Sequence, residues 1–516
     1  MSSVLTDDIL YEILKLLKEN DVYENTLYSC LYVNRRFCII AVPFLWRTTF
    51  QREAKSHIFI STYISCLINR FHGWQNDNDR SILCSEGFLT KSPPLFKYER
   101  FLKEFSFKSL NKAVKHWFDN KYGCEDNRRD HLTKRLEFYL FKMFAEKSVL
   151  ESLAIELEIE NCWNIKNVFS GENAKISNIK NLSISFPSLR DIKFLNKVRK
   201  FLRELKSVFQ NLEEVCFFVD ETSDNNDLIS QSSMEIVSFI QSQKSLKGFN
   251  LIGSEDNFLP AKDIIISSLK SHANSLVHLN VDNVNFGGMS FNYFEKCNKL
   301  ELLGMGYCKG LHSMDPKSKF MNLRKLELSL NQFSPHIIML ILQKAGDTLI
   351  ELDIDDVSRE IAEVLETYCN KIEILSISGK TKLTLPWLSN LKNLKRLEFM
   401  QVAEMCNLEE TEMAILPPNY KIKKIITELF MEEFDSFYKS TQHLDFSLVS
   451  IIFSPEVKDF ENIKYEDPQS SLEINIGSSG GAHSTEEYKH ITIKKKRSDI
   501  LLNFHYLSEK LMERED

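Results

Sequence analysis

The chain has 516 residues, 43% of them hydrophobic and 27% charged, with a formal net charge of -7. That balance describes a folded protein of roughly two to four domains, or one long repeat array, and excludes a disordered chain or a membrane protein. It also excludes a general nucleic-acid binder, because no excess of positive charge exists to displace counterions from phosphate. The longest apolar run, Phe37 to Trp46, is too short to span a bilayer, and no basic segment followed by an apolar run opens the chain. No membrane partner is therefore expected, and the cytosol or nucleus is the expected location. The eleven cysteines are an odd number spread from Cys30 to Cys406 without a CxxC pair, and the histidines never take the HExxH spacing. Neither a disulfide framework, nor a metal site, nor a cofactor is predicted, and the cysteines read as small buried hydrophobes.

In chain order, Leu5, Ile9, Ile13 and Leu16 or Leu17 recur every three or four residues, which predicts an apolar stripe on a first helix. Thr6 is placed to cap it, and Asp7 and Asp8 sit in the first turn, where the helix dipole favours anions. Lys18 to Asn25 ends it. A second helix is expected to turn Leu27, Cys30 and Leu31 inward, and a third to carry Phe37, Ile40 and Ala41 up to Pro43, which is expected to stop it. About 45 residues are too few to bury a self-sufficient core, so a partner surface is expected.

These residues carry a resemblance. Leu5, Ile9 and Ile13, then Leu27 and Leu31, then Val33-Asn34-Arg35-Arg36-Phe37, then Ala41 and Pro43-Phe44-Leu45-Trp46, resemble an F-box motif over residues 1–47. Thr6 stands where that family usually has Pro. The resemblance implies binding to the Skp adaptor subunit of a cullin-RING ubiquitin ligase. Carried over position by position, it makes Leu5, Ile9, Ile13, Leu27, Leu31, Val33, Pro43, Leu45 and Trp46 the adaptor-facing residues.

Residues 48–147 read as a helical connector. Ile58, Ile60, Tyr63, Ile64, Leu67 and Ile68 suit one helix, Asn76 to Arg80 is a polar loop, and Ser92-Pro93-Pro94 breaks the chain. Tyr98 to Phe118 and Leu132 to Phe144 have helical spacing, with Leu136, Tyr139, Leu140, Met143 and Phe144 on one broad face.

From Leu150 one template returns: an aliphatic residue, two others, a second aliphatic, one other, a third. It appears at Leu150/Leu153/Ile155, Ile179/Leu182/Ile184, Leu212/Val215/Phe217, Leu246/Phe249/Leu251, Leu276/Leu279/Val281 and Leu300/Leu303/Met305. It continues at Leu323/Leu326/Leu328, Leu349/Leu352/Ile354, Ile372/Leu375/Ile377, Leu394/Leu397/Phe399, Ile422/Ile425/Thr427 and Leu448/Ile451/Phe453. Successive starts lie 22 to 34 residues apart. That period and signature resemble a leucine-rich repeat, in which each unit supplies one short parallel strand and a returning helix or irregular segment. Asn331 stands where the consensus Asn of that repeat bonds the backbone of neighbouring turns, and Cys308 takes the equivalent place. Between strands, Ser334-Pro335 offers an N-cap followed by Pro at the first helical position, and Met234, Val237 and Ile240, like Ile361, Leu365 and Cys369, have helical spacing.

Past Leu448, Gly477 to Ser484 reads as a flexible loop between strands Leu472 to Ile476 and His490 to Ile493, and Lys494 to Arg497 as a solvated strand end. Gly477-Ser478-Ser479-Gly480-Gly481 fits the GxSxG spacing of a hydrolase, but the strand, turn and helix that such an elbow needs are not predicted around Ser479. Gly379-Lys380-Thr381 lacks the leading Gly of a phosphate loop, since Ile374 occupies that position.

The predicted fold is thus an α/β repeat: a three-helix F-box motif, the connector at 48–147, a horseshoe-shaped solenoid of leucine-rich repeats over 148–500, and a tail at 501–516. Side chains alternate along a strand, so each repeat turns the residues between its aliphatics to one open face. That face is expected to present Asn280, Asp282, Lys325, Glu327, Glu351, Asp353, Asp355, Ser376, Arg396 and Glu398 to a client protein. An F-box protein with leucine-rich repeats implies a non-catalytic substrate receptor of a Skp, cullin and F-box ligase. A leucine-rich scaffold outside any ligase, and a hydrolase using Ser479, are the rival readings.

Overall fold

The computed structural model describes residues 6–19, 24–50, 56–70, 93–122, 127–157, 165–169, 178–186, 192–219, 226–253, 262–287, 294, 296–312, 314, 320–377, 390–399, 421–422, 424–429, 445–446, 448–453, 472–480 and 487–495. Leu5, the loop expected at 76–80, the Gly379-Lys380-Thr381 segment and the tail at 501–516 lie outside them. The chain divides into two compact units, Met1–His272 and Ala273–Asp516.

The first unit begins with α1 (Asp7–Glu19), α2 (Glu24–Val33) and α3 (Arg35–Leu45). The Ile9 amide donates to Thr6 Oγ1 at 3.4 Å and the Phe37 amide to Asn34 Oδ1 at 3.0 Å, so α1 and α3 each open on a side-chain cap. Asp7 and Arg36 tie α1 to α3 by an ion pair. The core between the helices is Leu10, Leu14, Leu27, Cys30, Ala41, Phe44 and Leu45. Pro43 does not stop α3, as expected from sequence, but sits inside it, where the helix runs on to Leu45. So close to the end, its missing N–H removes only one backbone bond, and the Trp46 amide still reaches Val42 O at 3.1 Å.

Next come α4 (Ser56–Arg70), a 3-10 turn at Tyr98–Arg100, β1 (Glu104–Ser106), α5 (Phe107–Tyr122) and α6 (Asn127–Lys147). Tyr63 is fully buried between Phe50 and Phe144, with ring centroids 5.6 Å and 4.8 Å away, and its hydroxyl pairs with Thr49 Oγ1 at 3.0 Å. Burial pushes its phenol far above the usual range. The described part of the segment 48–147 is largely helical, with one short strand, β1, that the helical spacing of Tyr98 to Phe118 did not predict. Leu102, Phe105 and Phe107 are buried and repeat the strand template with aromatic residues, so the sheet starts at β1.

β1 pairs in parallel with β2 (Ser152–Glu156), followed by β3 (Asn181–Phe186), β4 (Glu214–Val219) and β5 (Gly248–Gly253), each parallel to the last. The helices α7 (Ile165–Phe169), α8 (Ile192–Val208), α9 (Asn226–Gln241) and α10 (Lys262–Ser268) come between or after them. The register aligns Phe105, Leu153, Leu182, Val215 and Phe249, all buried, so the middle aliphatic of every template stacks on its neighbour. Met234, read as part of the inward face of α9, is instead 56% exposed, while Val237 and Ile240 are buried.

The residue just ahead of each strand in this unit carries a charge that alternates in sign: Lys103, Glu151, Lys180, Glu213, Lys247. Its amide bonds the carbonyl of the corresponding residue one repeat back, as in Lys180 to Glu151 (2.9 Å) and Lys247 to Glu213 (2.7 Å). Its side chain pairs along the same line, Lys103 with Glu151 at 3.0 Å and Glu213 with both Lys180 and Lys247 at 2.7 Å. Those two lysines hold the Glu213 carboxyl down to about 2. Arg47 continues the line beyond β1: its carbonyl accepts from the Lys103 and Glu104 amides, and its guanidinium reaches Glu151 at 2.8 Å.

The second unit holds β6 (His278–Asp282), β7 (Leu302–Gly306), β8 (Lys325–Ser329), α11 (Pro335–Ala345), β9 (Glu351–Ile354), α12 (Arg359–Tyr368), β10 (Ile374–Ile377) and β11 (Arg396–Phe399). After β12 (Lys421–Ile422), β13 (Lys424–Leu429), β14 (Asp445–Phe446) and β15 (Leu448–Phe453) the chain ends its sheet with β16 (Leu472–Gly480) and β17 (Glu487–Lys495). β6 to β11, then β13 and β15, pair in parallel order, and β17 and β16 add on antiparallel. The loop expected at Gly477–Ser484 is a correction: Gly477 to Gly480 belong to β16, with Ser479 opposite Tyr488, because ladder pairing outweighs the weak strand preference of Gly and Ser. Ser334 occupies the cap position of α11 with Pro335 at its first turn, although its hydroxyl makes no cap bond.

β6, β7 and β8 share one turn. Asn283, Tyr307 and Leu330 each follow their strand with φ of 57°, 51° and 52°, a left-handed backbone that costs Tyr and Leu more than Asn. Asn331 joins the last of these turns to the strand before it: its Oδ1 accepts from the Cys308 amide at 2.8 Å and its Nδ2 donates to Met305 O at 2.7 Å. The Cys308 thiol in turn lies 3.3 Å from Val281 O. The molecule is thus an α/β fold built from repeated strand and connection units.

Candidate partner-binding surfaces

Two surfaces carry the residues singled out from the sequence. On α1 the apolar residues fall on two adjacent stripes. Leu10 and Leu14 turn into the helical core, while Ile9, Ile13 and Leu16 are 49%, 40% and 58% exposed. Spaced four and three residues apart, the outer three share one face of the helix. Val33 at the end of α2 is exposed as well, as are Tyr32 beside it and Ile39 on α3. An isolated exposed aliphatic needs no explanation, but these three lie together on one face of a helix whose inner face Leu10 and Leu14 already fill.

The remaining members of the expected adaptor-facing set are placed differently. Leu27 and Leu45 are 1% exposed and fill the three-helix core, so they are corrected from surface to interior. Leu31 and Trp46 are half-buried against that core. The Trp46 indole is ringed by Phe59, Tyr63 and Tyr98 at centroid distances of 4.8, 5.2 and 4.1 Å, so it joins the helical motif to α4 and the turn that follows. Pro43 is half-buried within α3.

The second surface is the open face of β6 to β11. Its rows are fixed by register: Asn280, Gly304, Glu327, Asp353, Ser376 and Glu398 form one, and Leu302, Lys325, Glu351, Ile374 and Arg396 its neighbour. The β7 positions were absent from the expected set. Gly304 and Gly306 stand there, and a side chain at either would run into Asn280, Asp282 and Glu327, which lean over the bare β7 backbone.

Much of the expected acidic ladder is already engaged. Lys325 Nζ bonds Glu351 at 2.7 Å and Glu327 at 2.9 Å. Burial pulls the Lys325 ammonium down, but these two carboxylates outweigh it and hold the group above its ordinary value. Asp355 accepts from the Leu330 amide one repeat back, so it is a turn cap rather than an open ligand. Burial raises its carboxyl, and the charge of Asp356 adds to the rise. Ser376 is 6% exposed, which withdraws it from the face. Asn280, Asp282, Glu327, Glu351, Asp353 and Arg396 are half-buried, and the side chain of Glu398 lies outside the described residues. Ser479 sits within a two-strand pairing, which is not the strand, turn and helix of a nucleophile elbow. Among the described residues no helix is long and apolar enough to cross a membrane.

No family model matches the chain, and no curated protein matches it. Among solved structures it is similar to the crystal structure of the Rad7 and Elc1 complex in yeast, at 15% identity and a TM-score of 0.32, over 60% of this chain and 88% of that one.

Proposed function

We propose that this chain is the substrate receptor of a Skp, cullin and F-box ubiquitin ligase, working in the cytosol or nucleus without catalysis of its own. In this reading the N-terminal helices are an F-box that binds the Skp adaptor, and the later strands are leucine-rich repeats whose open face holds a client. The adaptor and its cullin-RING partner carry the ubiquitin-loaded enzyme, so the receptor acts by raising effective concentration at client lysines. The observation that carries the reading is the outward stripe of Ile9, Ile13 and Leu16 with Val33, beside a helical core that other residues fill. Covering that stripe with a helical subunit is the gain that such an interface offers.

With a purified Skp adaptor, the chain is expected to co-elute in gel filtration. Ile9→Glu and Ile13→Glu, each placing a charge in the interface, are expected to weaken the complex at least about tenfold while leaving thermal stability nearly unchanged. Trp46→Ala differs, because its ring is internal: it is expected to lower stability by about 3 kcal/mol. A soluble chain that ignores the adaptor would favour the second reading, a leucine-rich scaffold outside any ligase. The internal packing of Leu27, Leu45 and Trp46 supports that alternative, since these three side chains are already engaged by the helical core and by Tyr63 of α4.

A further inference from the structure

We propose that Leu330, with Tyr307 beside it, anchors a docking site for an extended segment of another protein that carries an aliphatic or aromatic side chain within two residues of a Lys or Arg. The inference rests on the reading of the later strands as client-holding repeats, and it names the class of client.

Three consecutive repeats leave their strands through the same left-handed residue, Asn283, Tyr307 and Leu330, and among the described residues no others except Gly have such a backbone. Asn takes that conformation readily, whereas the Cβ of Tyr or Leu is crowded there by the following carbonyl. Asn283 is 4% exposed, so its turn is covered by the fold. Leu330 and Tyr307 are 47% and 39% exposed, so their bulk is strained without being buried. Strain of this kind gathers at ligand clamps. Both turns are held firmly: the Tyr307 amide donates to Ser329 O at 2.8 Å, and the Leu330 amide donates to the Asp355 carboxylate. The two side chains therefore leave adjacent turns about 4.8 Å apart, one strand spacing.

Charge selects the occupant. Asp355 and Asp356 follow β9 in the next repeat, and Asp356 is exposed. Burial raises the Asp355 carboxyl and the Asp356 charge adds to the rise, against the Leu330 and Asn331 amides, and burial alone raises Asp356. No cation among the described residues relieves either group, and Asp355 Oδ1 accepts no hydrogen bond. Lys325 on β8 is taken by Glu327 and Glu351. A Lys or Arg brought in by a segment lying over Leu330 would meet Asp356 at the surface and offset this repulsion. A nucleic acid would instead set phosphates against the two acids. A second copy of this chain placed there by twofold symmetry would bring the same two acids against themselves.

The test is selection of a phage-displayed random heptapeptide library on the full chain, followed by fluorescence anisotropy with the most enriched peptide in labelled form. The enriched sequences are expected to carry an aliphatic or aromatic residue within two positions of Lys or Arg, and their binding is expected to weaken as salt rises. Leu330→Gly is the decisive variant. Gly accepts a φ of 52° without strain, so the melting temperature is expected to stay or rise while peptide affinity falls at least about tenfold. Tyr307→Gly gives the same reading should Leu330→Gly fail to fold. Asp356→Lys is expected to lose at least about tenfold in affinity, and Asp356→Asn less. Absence of enrichment, enrichment of sequences of other chemistry, or affinity unchanged in Leu330→Gly or in Asp356→Lys overturns the proposal. So does self-association in gel filtration that these variants abolish, or tighter binding to a labelled dodecathymidylate than to the peptide. Co-elution with the Skp adaptor reports on the receptor reading alone, so a failure there and a failure of peptide binding are told apart.

Discussion

The open faces of the two units are built on the same strand pattern and differ in the side chains of their central rows. In the first unit, Ala154, Ser183, Cys216 and Asn250 line up in register, small and uncharged, with Phe218 and Ile252 aligned further along. In the second, the corresponding row holds Asn280, Gly304, Glu327, Asp353 and Ser376, and Glu327 is tied by an ion pair to Lys325 of the neighbouring row. Beneath both lie the same stacked aliphatic and aromatic residues, all buried. The comparison teaches that this architecture separates its duties by strand parity: inward residues hold the stack, and outward ones are free to vary without cost to it.

The strongest way to break that comparison is to strike the inward positions of each unit. Phe217→Ala in β4 is expected to cost about 3–5 kcal/mol and Leu326→Ala in β8 about 2–5 kcal/mol, both by urea denaturation. A cost below about 1 kcal/mol at either site would mean that the two stacks are not equivalent. A smaller effect isolates the turn that marks the second unit. Asn331→Ala leaves the Cys308 amide and the Met305 carbonyl without their partner, and a loss of about 1–3 kcal/mol is expected in the same assay.

The smallest effect sharpens the contrast from the first unit. The carboxyl of Glu213 is held by Lys180 and Lys247 at about 2, below its ordinary 4.5. A depressed acid of this kind adds stability that is complete above the ordinary value and disappears as pH falls toward about 2. Glu213→Gln is therefore expected to flatten the pH dependence of thermal unfolding across that window and to change little at neutral pH beyond the lost pairs. Because both lysines are exposed and salt screens them, the effect is expected to be weaker than either substitution above.

The strand positions were legible because the template repeats with little tolerance: all twelve copies noted from Leu150 onward coincide with strands. A thirteenth at Leu102, Phe105 and Phe107 escaped because two of its three apolar residues are aromatic and the segment follows helical spacing closely. Gly477 to Gly480 misled in the other direction, since composition favours a loop while a partner strand overrides it. On the helices, periodicity located an apolar face on α1 but could not say which of two neighbouring stripes, Ile9/Ile13 or Leu10/Leu14, the other helices would claim. Trp46 and Asp355 belonged to contacts between distant parts of the chain, with Tyr98 and with Leu330, that spacing along one element does not encode.

The line of corner charges from Lys103 to Lys247 also sets a parity rule for the length of the array. Removing or inserting one repeat there would bring lysine beside lysine or glutamate beside glutamate at the new seam. Removing or inserting two would restore attraction across it, so this stretch can grow or shrink in even steps more readily than in odd ones.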